Sequence, residues 1–227
     1  MPFEDLPNRL SEVRQRIEQA VRRGGHAQGV RIIAVTKTHG PDAVEAAWSA
    51  GLQDVGENRV QEALGKMAAV SPPVHWHLIG HLQRNKVKSA DGFHLIHSID
   101  SLRLAETVNA HARVGGARQD VLVQINVVGE ESKGGFAVAE LEAAAPALAA
   151  MQGIDVKGVM TMAPLEASET TLRQVFSGAR EARAMLQANG LAGAGELSMG
   201  MSGDYELAVE EGATMVRLGT ILFGERA

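Results

Sequence analysis

The residue best placed to act as a nucleophile is Lys37. It closes the run Arg31-Ile32-Ile33-Ala34-Val35-Thr36-Lys37-Thr38. The apolar part is too short and too β-branched for a helix, so it reads as a buried strand that delivers a lysine at its carboxyl end. Apolar surroundings disfavour an ammonium and free the amine for Schiff-base chemistry. A lone lysine past a strand ordinarily points into water. Its meaning therefore depends on what stands at the other strand ends.

Two late segments supply the complementary chemistry. Ser198-Met199-Gly200-Met201-Ser202-Gly203-Asp204 has two hydroxyls, two glycines inside the loop and a helix start behind it. Arg217-Leu218-Gly219-Thr220 has a cation, a glycine and a hydroxyl. Backbone N–H groups with hydroxyls are what a phosphate dianion needs. Either loop alone is an ordinary turn with a helix cap; together they favour a phosphate ligand. A Schiff-base lysine facing a phosphate site fits pyridoxal 5′-phosphate (PLP). Arg217 could reach the pyridine nitrogen or the phosphate, and a salt bridge to a carboxylate is equally consistent.

These residues need a scaffold that gathers strand ends. Leu6, Leu10, Val13, Ile17 and Val21 mark one apolar helical stripe closed by Gly24-Gly25, which predicts a helix packed on the outside of the fold. Strand-like runs follow at 31–37, 54–58, 74–79, 93–99, 121–127, 156–160, 196–199 and 215–218, with helical patterns between them. One helical pattern holds Pro146, which predicts a kink or a split. The alternation predicts an α/β fold: a single (β/α)8 TIM barrel with an extra N-terminal helix, spanning 1–227 as one domain. A doubly wound open sheet is the structural alternative. In such a barrel the functional groups sit at the carboxyl ends of the strands. Those ends hold Lys37, Glu57-Asn58, His81, Asn126, Met160-Thr161, Ser198 to Asp204, and Arg217 to Thr220.

Composition narrows the function. The 227 residues include no Cys, which excludes disulfides, thiolate catalysis and Cys-ligated zinc. A net charge of −5 and few aromatic residues argue against nucleic-acid or membrane binding. With no apolar signal segment or spanning run, a soluble cytoplasmic protein is expected. His75 and His77 share one strand face, the arrangement of a metal-dependent barrel hydrolase. No carboxylate cluster accompanies them, so satisfied or exposed histidines are the simpler reading. His94 and His97 should fall on opposite faces of a regular strand. Glu130, Glu131 and Lys133 read as a solvated loop. Arg84, Asn85, Lys86 and Lys88 read as a solvated basic face or a weak anion site.

Long stretches also resemble a known family. They include Ile33-Ala34-Val35-Thr36-Lys37-Thr38, Gly56-Glu57-Asn58-Arg59-Val60-Gln61-Glu62, and Trp76-His77-Leu78-Ile79-Gly80-His81-Leu82-Gln83-Arg84-Asn85-Lys86. Further on they include His97-Ser98-Ile99-Asp100-Ser101, Gly158-Val159-Met160-Thr161-Met162-Ala163-Pro164 and the two phosphate-type loops. The chain is thereby similar to the PLP homeostasis protein (YggS/PROSC-like) family, nearly throughout and in order. The resemblance implies a barrel like the N-terminal domain of alanine racemase, with PLP held as a Schiff base on Lys37. It implies Asn58 beside the ring, and Ser202, Gly219 and Thr220 on the phosphate, with Ser198 and Arg217 nearby. Met160 completes the cofactor-binding candidates.

The function this implies is a non-catalytic carrier or buffer of PLP in vitamin B6 and amino-acid homeostasis, with PLP-dependent apo-enzymes as recipients. The alternative is a weak amino-acid racemase. Racemisation in that fold needs a second base, usually a tyrosine from another domain or subunit. The sole tyrosine here, Tyr205, sits behind the proposed phosphate loop. The relatives' dimers use a domain this chain lacks, so a monomer is expected.

Overall fold

The computed structural model describes residues 3–130 and 134–224. Eight parallel strands follow one another around a closed barrel: β1 (Arg31–Val35), β2 (Asp54–Glu57), β3 (His75–Leu78), β4 (Leu95–Ile99), β5 (Gln119–Ile125), β6 (Ile154–Thr161), β7 (Glu196–Ser198) and β8 (Met215–Leu218). β1 pairs with β2 on one side and β8 on the other, Ile33 lying opposite Arg217. That pairing closes the sheet and decides against the open doubly wound alternative. The chain folds as the TIM barrel its alternation predicts.

Helices cover the outside: α1 (Leu6–Gly24), α2 (Pro41–Ser49), α3 (Val60–Ala69), α4 (Leu102–Val114), α5 (Val138–Ala150), α6 (Glu169–Ala188), α7 (Tyr205–Glu210) and α8 (Thr220–Phe223). A 3₁₀ helix (Arg84–Ser89) takes the helix position between β3 and β4. No helix among the described residues is long and apolar enough to cross a membrane.

Strand periodicity divides the core into two shells. In β1, Ile32 and Ala34 face the helices and Ile33 faces the barrel axis. Ile33, Leu95, Leu122, Met160 and Met215 form a small apolar layer inside the barrel. The larger shell lies between strands and helices and includes Phe176, Leu104, Leu141 and Leu186. The N-terminal stripe behaves as its spacing predicts. Leu6, Leu10, Val13, Ile17 and Ala20 are buried, and Arg23 of α1 reaches Glu210 of α7 at 2.5 Å. Val21 packs at the edge of that face.

Several boundaries differ from the sequence reading. β1 ends at Val35, so Lys37 stands two residues beyond it. β4 starts at Leu95; His94 precedes the strand and stacks on His75, with ring centroids 4.6 Å apart. β5 starts at Gln119, earlier than its apolar run, because polar Gln119 and Asp120 pair with Ile154 and Asp155. α5 passes Pro146 without a break. Pro146 is exposed, so water can satisfy the carbonyl that the missing N–H leaves over. Of the loop read as solvated, Glu131 and Lys133 lie outside the described residues.

Phe176 is fully buried in the outer shell, whereas Val114 is 89% exposed. Phe176→Ala is expected to cost about 3–5 kcal/mol of unfolding free energy in urea titrations. Val114→Ser is expected to stay within about 0.5 kcal/mol of the parent.

Candidate functional site

At the carboxyl ends of the strands lies a cleft of about 880 Å³, within the roughly 300–1,000 Å³ of small-molecule sites. It gathers Lys37, Asn58, Ser202, Arg217, Gly219 and Thr220, which are far apart in sequence. Two of the predicted contacts are placed elsewhere. Met160 faces inward but one layer lower, packed with Ile33 and Met215; Met162, two residues on, lines the cleft instead. Ser198 is fully buried beneath the cleft, where its Oγ accepts from Arg217 Nη1 at 2.7 Å. Asn126 closes its own loop through Glu130, donating to the Glu130 carbonyl at 2.8 Å.

The loop after β7 is built around Gly200, at φ 89°, where a Cβ would lie 2.6 Å from Ala208 Cβ. Only glycine lets this loop fold back onto α7. Asp204 then accepts from Met201 N–H at 2.6 Å, and Ser202 Oγ accepts from Ile221 N–H at 3.4 Å. The last contact joins the loops after β7 and β8, so the two phosphate-type segments form one wall. Opposite them, Gly80 approaches so closely that a Cβ would meet the Asn58 carbonyl at 2.3 Å. That contact fixes Asn58 at the rim.

Lys37 is held through its neighbours. Lys66 of α3 is buried, and its ammonium donates to the Thr36 carbonyl at 2.8 Å, to Glu57 Oε1 at 2.6 Å and to Glu62 Oε1 at 2.9 Å. All three ammonium protons are used. Thr36 Oγ1 donates to Glu57 Oε1 at 2.6 Å, and Glu62 accepts from the Thr38 N–H. Thr38 sits at φ 68°, a strained position for a β-branched residue. The peptides before and after Lys37 are therefore both clamped by one buried cation. Burial pushes the Glu57 carboxyl above its ordinary range despite Lys66. Burial opposes ionisation of Glu62 as well, but hydrogen bonds from Lys66 and Thr38 hold it below that range.

Arg217 enters the cleft from below. It is almost fully buried, and its Nη2 donates to the Thr161 carbonyl at 3.0 Å. Burial pulls its pKa down to about 10, with Asp204 as the opposing charge, so it stays cationic at neutral pH. Burial in turn raises the Asp204 carboxyl. On the rim, His81 Nδ1 lies 3.0 Å from Asp100 Oδ2. His75 and His77 are at the opposite mouth and share Asp54 Oδ1, at 3.3 and 2.9 Å. Among the described residues no group of three or more His, Cys, Asp or Glu is arranged to hold a metal.

Sequence reasoning missed the clamp and the buried pair beneath Arg217. An i,i+4 spacing of Glu62 and Lys66 was the visible signal, but it looks the same on a solvated helix face. Ser198 was visible; its partner His97 was not, because nothing local tells an inward histidine from an outward one.

Residues 9–227 match the model of the alanine racemase N-terminal domain. The pyridoxal phosphate homeostasis protein of Aquifex aeolicus is 41% identical over 221 residues, 96% of this chain and 97% of that one. The chain belongs to the pyridoxal phosphate homeostasis protein family. A solved family structure, PipY of Synechococcus elongatus PCC7942 with PLP bound, is 38% identical with a TM-score of 0.86, over 96% of this chain and all of that one. Alanine racemase of Clostridium difficile 630 aligns with a TM-score of 0.73 at 16% identity, over 93% of this chain and 57% of its own. That likeness shows the fold alone.

Two predictions follow from the buried groups. Lys66→Met removes one partner of a buried pair and is expected to cost about 3–5 kcal/mol in urea titrations. Burial also holds the His97 imidazole well below its ordinary 6.5, as do the cations of the neighbouring Arg217 and Arg31. Unfolded, this imidazole takes a proton below about 6.5; folded, it does not. Its contribution is intact above that pH and is lost as pH falls, by about 1.4 kcal/mol per unit. Urea midpoints between pH 7 and 5 should therefore fall more steeply in the parent than in His97→Gln.

Proposed function

We propose that this chain binds PLP covalently through Lys37 and serves PLP homeostasis, holding and releasing the cofactor. The observation that carries the reading is one cleft lined by an amine, a guanidinium, hydroxyls and glycine-bearing loops. Relatives named for PLP homeostasis, nearly equal to this chain in length, support it, as does the family structure whose ligand is PLP.

In this reading Lys37 supplies the amine, and Ser202, Gly219 and Thr220 hold the phosphate with their hydroxyls and N–H groups. Asn58 flanks the ring. Arg217 offers its remaining donors to the ring nitrogen or the phosphate. Met160 and Ser198 act from beneath, by packing and by holding Arg217. Bound this way, the cofactor supplies an electrophilic carbon that incoming amines can attack. The amine of a recipient apo-enzyme is one such partner, which makes transfer chemically simple. The protein works as a monomer with an open cleft.

A racemase reading needs a second base over the ring. Tyr205 does not supply it, being buried on α7 with Arg16 of α1 5.7 Å from its ring centre. His81 with Asp100 is the rim group that would have to act instead.

Purified protein with added PLP is expected to show a visible band that borohydride fixes to the polypeptide. Lys37→Ala is expected to lose both. Absence of the band in the parent would overturn the cofactor assignment. Interconversion of alanine or serine enantiomers by the parent, abolished in Lys37→Ala, would overturn the carrier assignment.

A further inference from the structure

One feature inside the barrel takes no part in the Lys66 clamp and runs behind the phosphate-type loops. A continuous series of hydrogen bonds runs from one mouth of the barrel to the other. Asp54 Oδ1 is 2.9 Å from His77 Nε2, and His77 Nδ1 is 2.9 Å from His97 Nε2. His97 Nδ1 is 2.9 Å from Ser198 Oγ, which is 2.7 Å from Arg217 Nη1. His77, His97 and Ser198 are fully buried. Asp54 is at the amino mouth, 15% exposed, and Arg217 lines the cleft.

The chemistry of the two ends fixes the direction of every bond between them. A guanidinium can only donate, so Arg217 gives a proton to Ser198 Oγ. An ionised carboxylate can only accept, so His77 Nε2 carries a proton toward Asp54. Burial disfavours protonation of both imidazoles, and each is held below the ordinary histidine range, so each carries one proton. His77 Nδ1 must then accept from His97 Nε2–H, and His97 Nδ1 must accept from the Ser198 hydroxyl. Asp54 is ionised: burial opposes this, but the hydrogen bond from His77 and the nearby cation of Arg31 hold its carboxyl below the ordinary range. The result is one row of aligned dipoles from a cation in the cleft to an anion at the far mouth. Such aligned bonds polarise one another in a low-dielectric interior.

We infer that Asp54 is a remote positioning residue for Arg217, acting through His77, His97 and Ser198 to lock one tautomer series. It touches no cleft atom. Without its charge the opposite series becomes available. His77 Nδ1–H then donates to His97 Nε2, and His97 Nδ1–H donates to Ser198 Oγ. The Ser198 oxygen accepts from both sides, and the dipoles no longer support the guanidinium.

The test of the series needs no ligand. Nitrogen-15 spectra of the ligand-free protein should show His77 and His97 neutral, both protonated at Nε2. In Asp54→Ala the resonances of buried His97 should move toward the Nδ1–H form, while His97→Gln, which can accept and donate in the same direction, should keep His77 as in the parent. A parent spectrum with Nδ1–H on either ring, or an Asp54→Ala spectrum with His97 unmoved, would overturn the inference.

The consequence in the cleft rests on the PLP reading. With PLP saturated, Asp54→Ala should shift the visible band and change the rate of cofactor loss by about two- to thirty-fold, while borohydride labelling of Lys37 persists. A band and rate equal to the parent's would overturn the inference with the cofactor reading intact. A parent without any band would overturn the cofactor reading, and the tautomers would still decide the series. Asp54 is part-exposed at the mouth, so its variant keeps the test open where His97→Gln fails to fold.

Discussion

A guanidinium inside a closed barrel sets the terms for everything around it. Arg217 must reach the barrel interior because β8 alternates, and Met215 already fills the layer below. Removing a charge from water costs several kcal/mol unless its donors are matched. The match here comes from the Thr161 carbonyl, Ser198 and the histidines behind it. Those groups in turn need inward positions on β3, β4, β6 and β7, and so the whole register of the barrel. The interior is accordingly half apolar layer and half polar thread, where many barrels of this kind stack branched aliphatic residues.

Lys66 repeats the same logic on the outer side of the sheet. Its ammonium is buried between β1, β2 and α3 and is fully saturated by Thr36, Glu57 and Glu62. Replacing such pairs with apolar residues often leaves proteins as stable or more so. Their presence is better explained by position than by stability. The pair spans the peptides on either side of Lys37 and holds Thr38 in its strained conformation. One buried cation thus fixes where an amine can stand, and another fixes what faces it across the cleft. The surface ion pairs between α1 and α7 have no such role; half-exposed pairs are worth little.

Much of this was legible in the chain. Eight apolar runs alternating with helical stripes carry the barrel, and reading only strand ends collects the cleft residues Lys37, Asn58, Ser202, Arg217, Gly219 and Thr220. What stayed hidden were the partners of those residues. Ser198 and Met160 differ from the lining residues only by height in the barrel, and a depth difference of one layer leaves no trace in a local pattern. The sequence pattern puts His94 and His97 on opposite faces of one regular strand. In the fold one is stacked on His75 at the mouth and the other is sealed inside, because β4 begins after His94. Pro146 marked a break that did not form, since its lost hydrogen bond falls on a wetted face.

In the proposed function the barrel's two buried cations prepare Lys37, and no other lysine, to hold PLP. Peptide mapping after incubation with PLP and borohydride reduction tests this directly. Pyridoxyl label is expected on the peptide containing Lys37 at sub-stoichiometric PLP, before any appears on Lys86, Lys88 or Lys157. Label spread over those lysines, with the Lys37 peptide unmodified, would contradict the proposal.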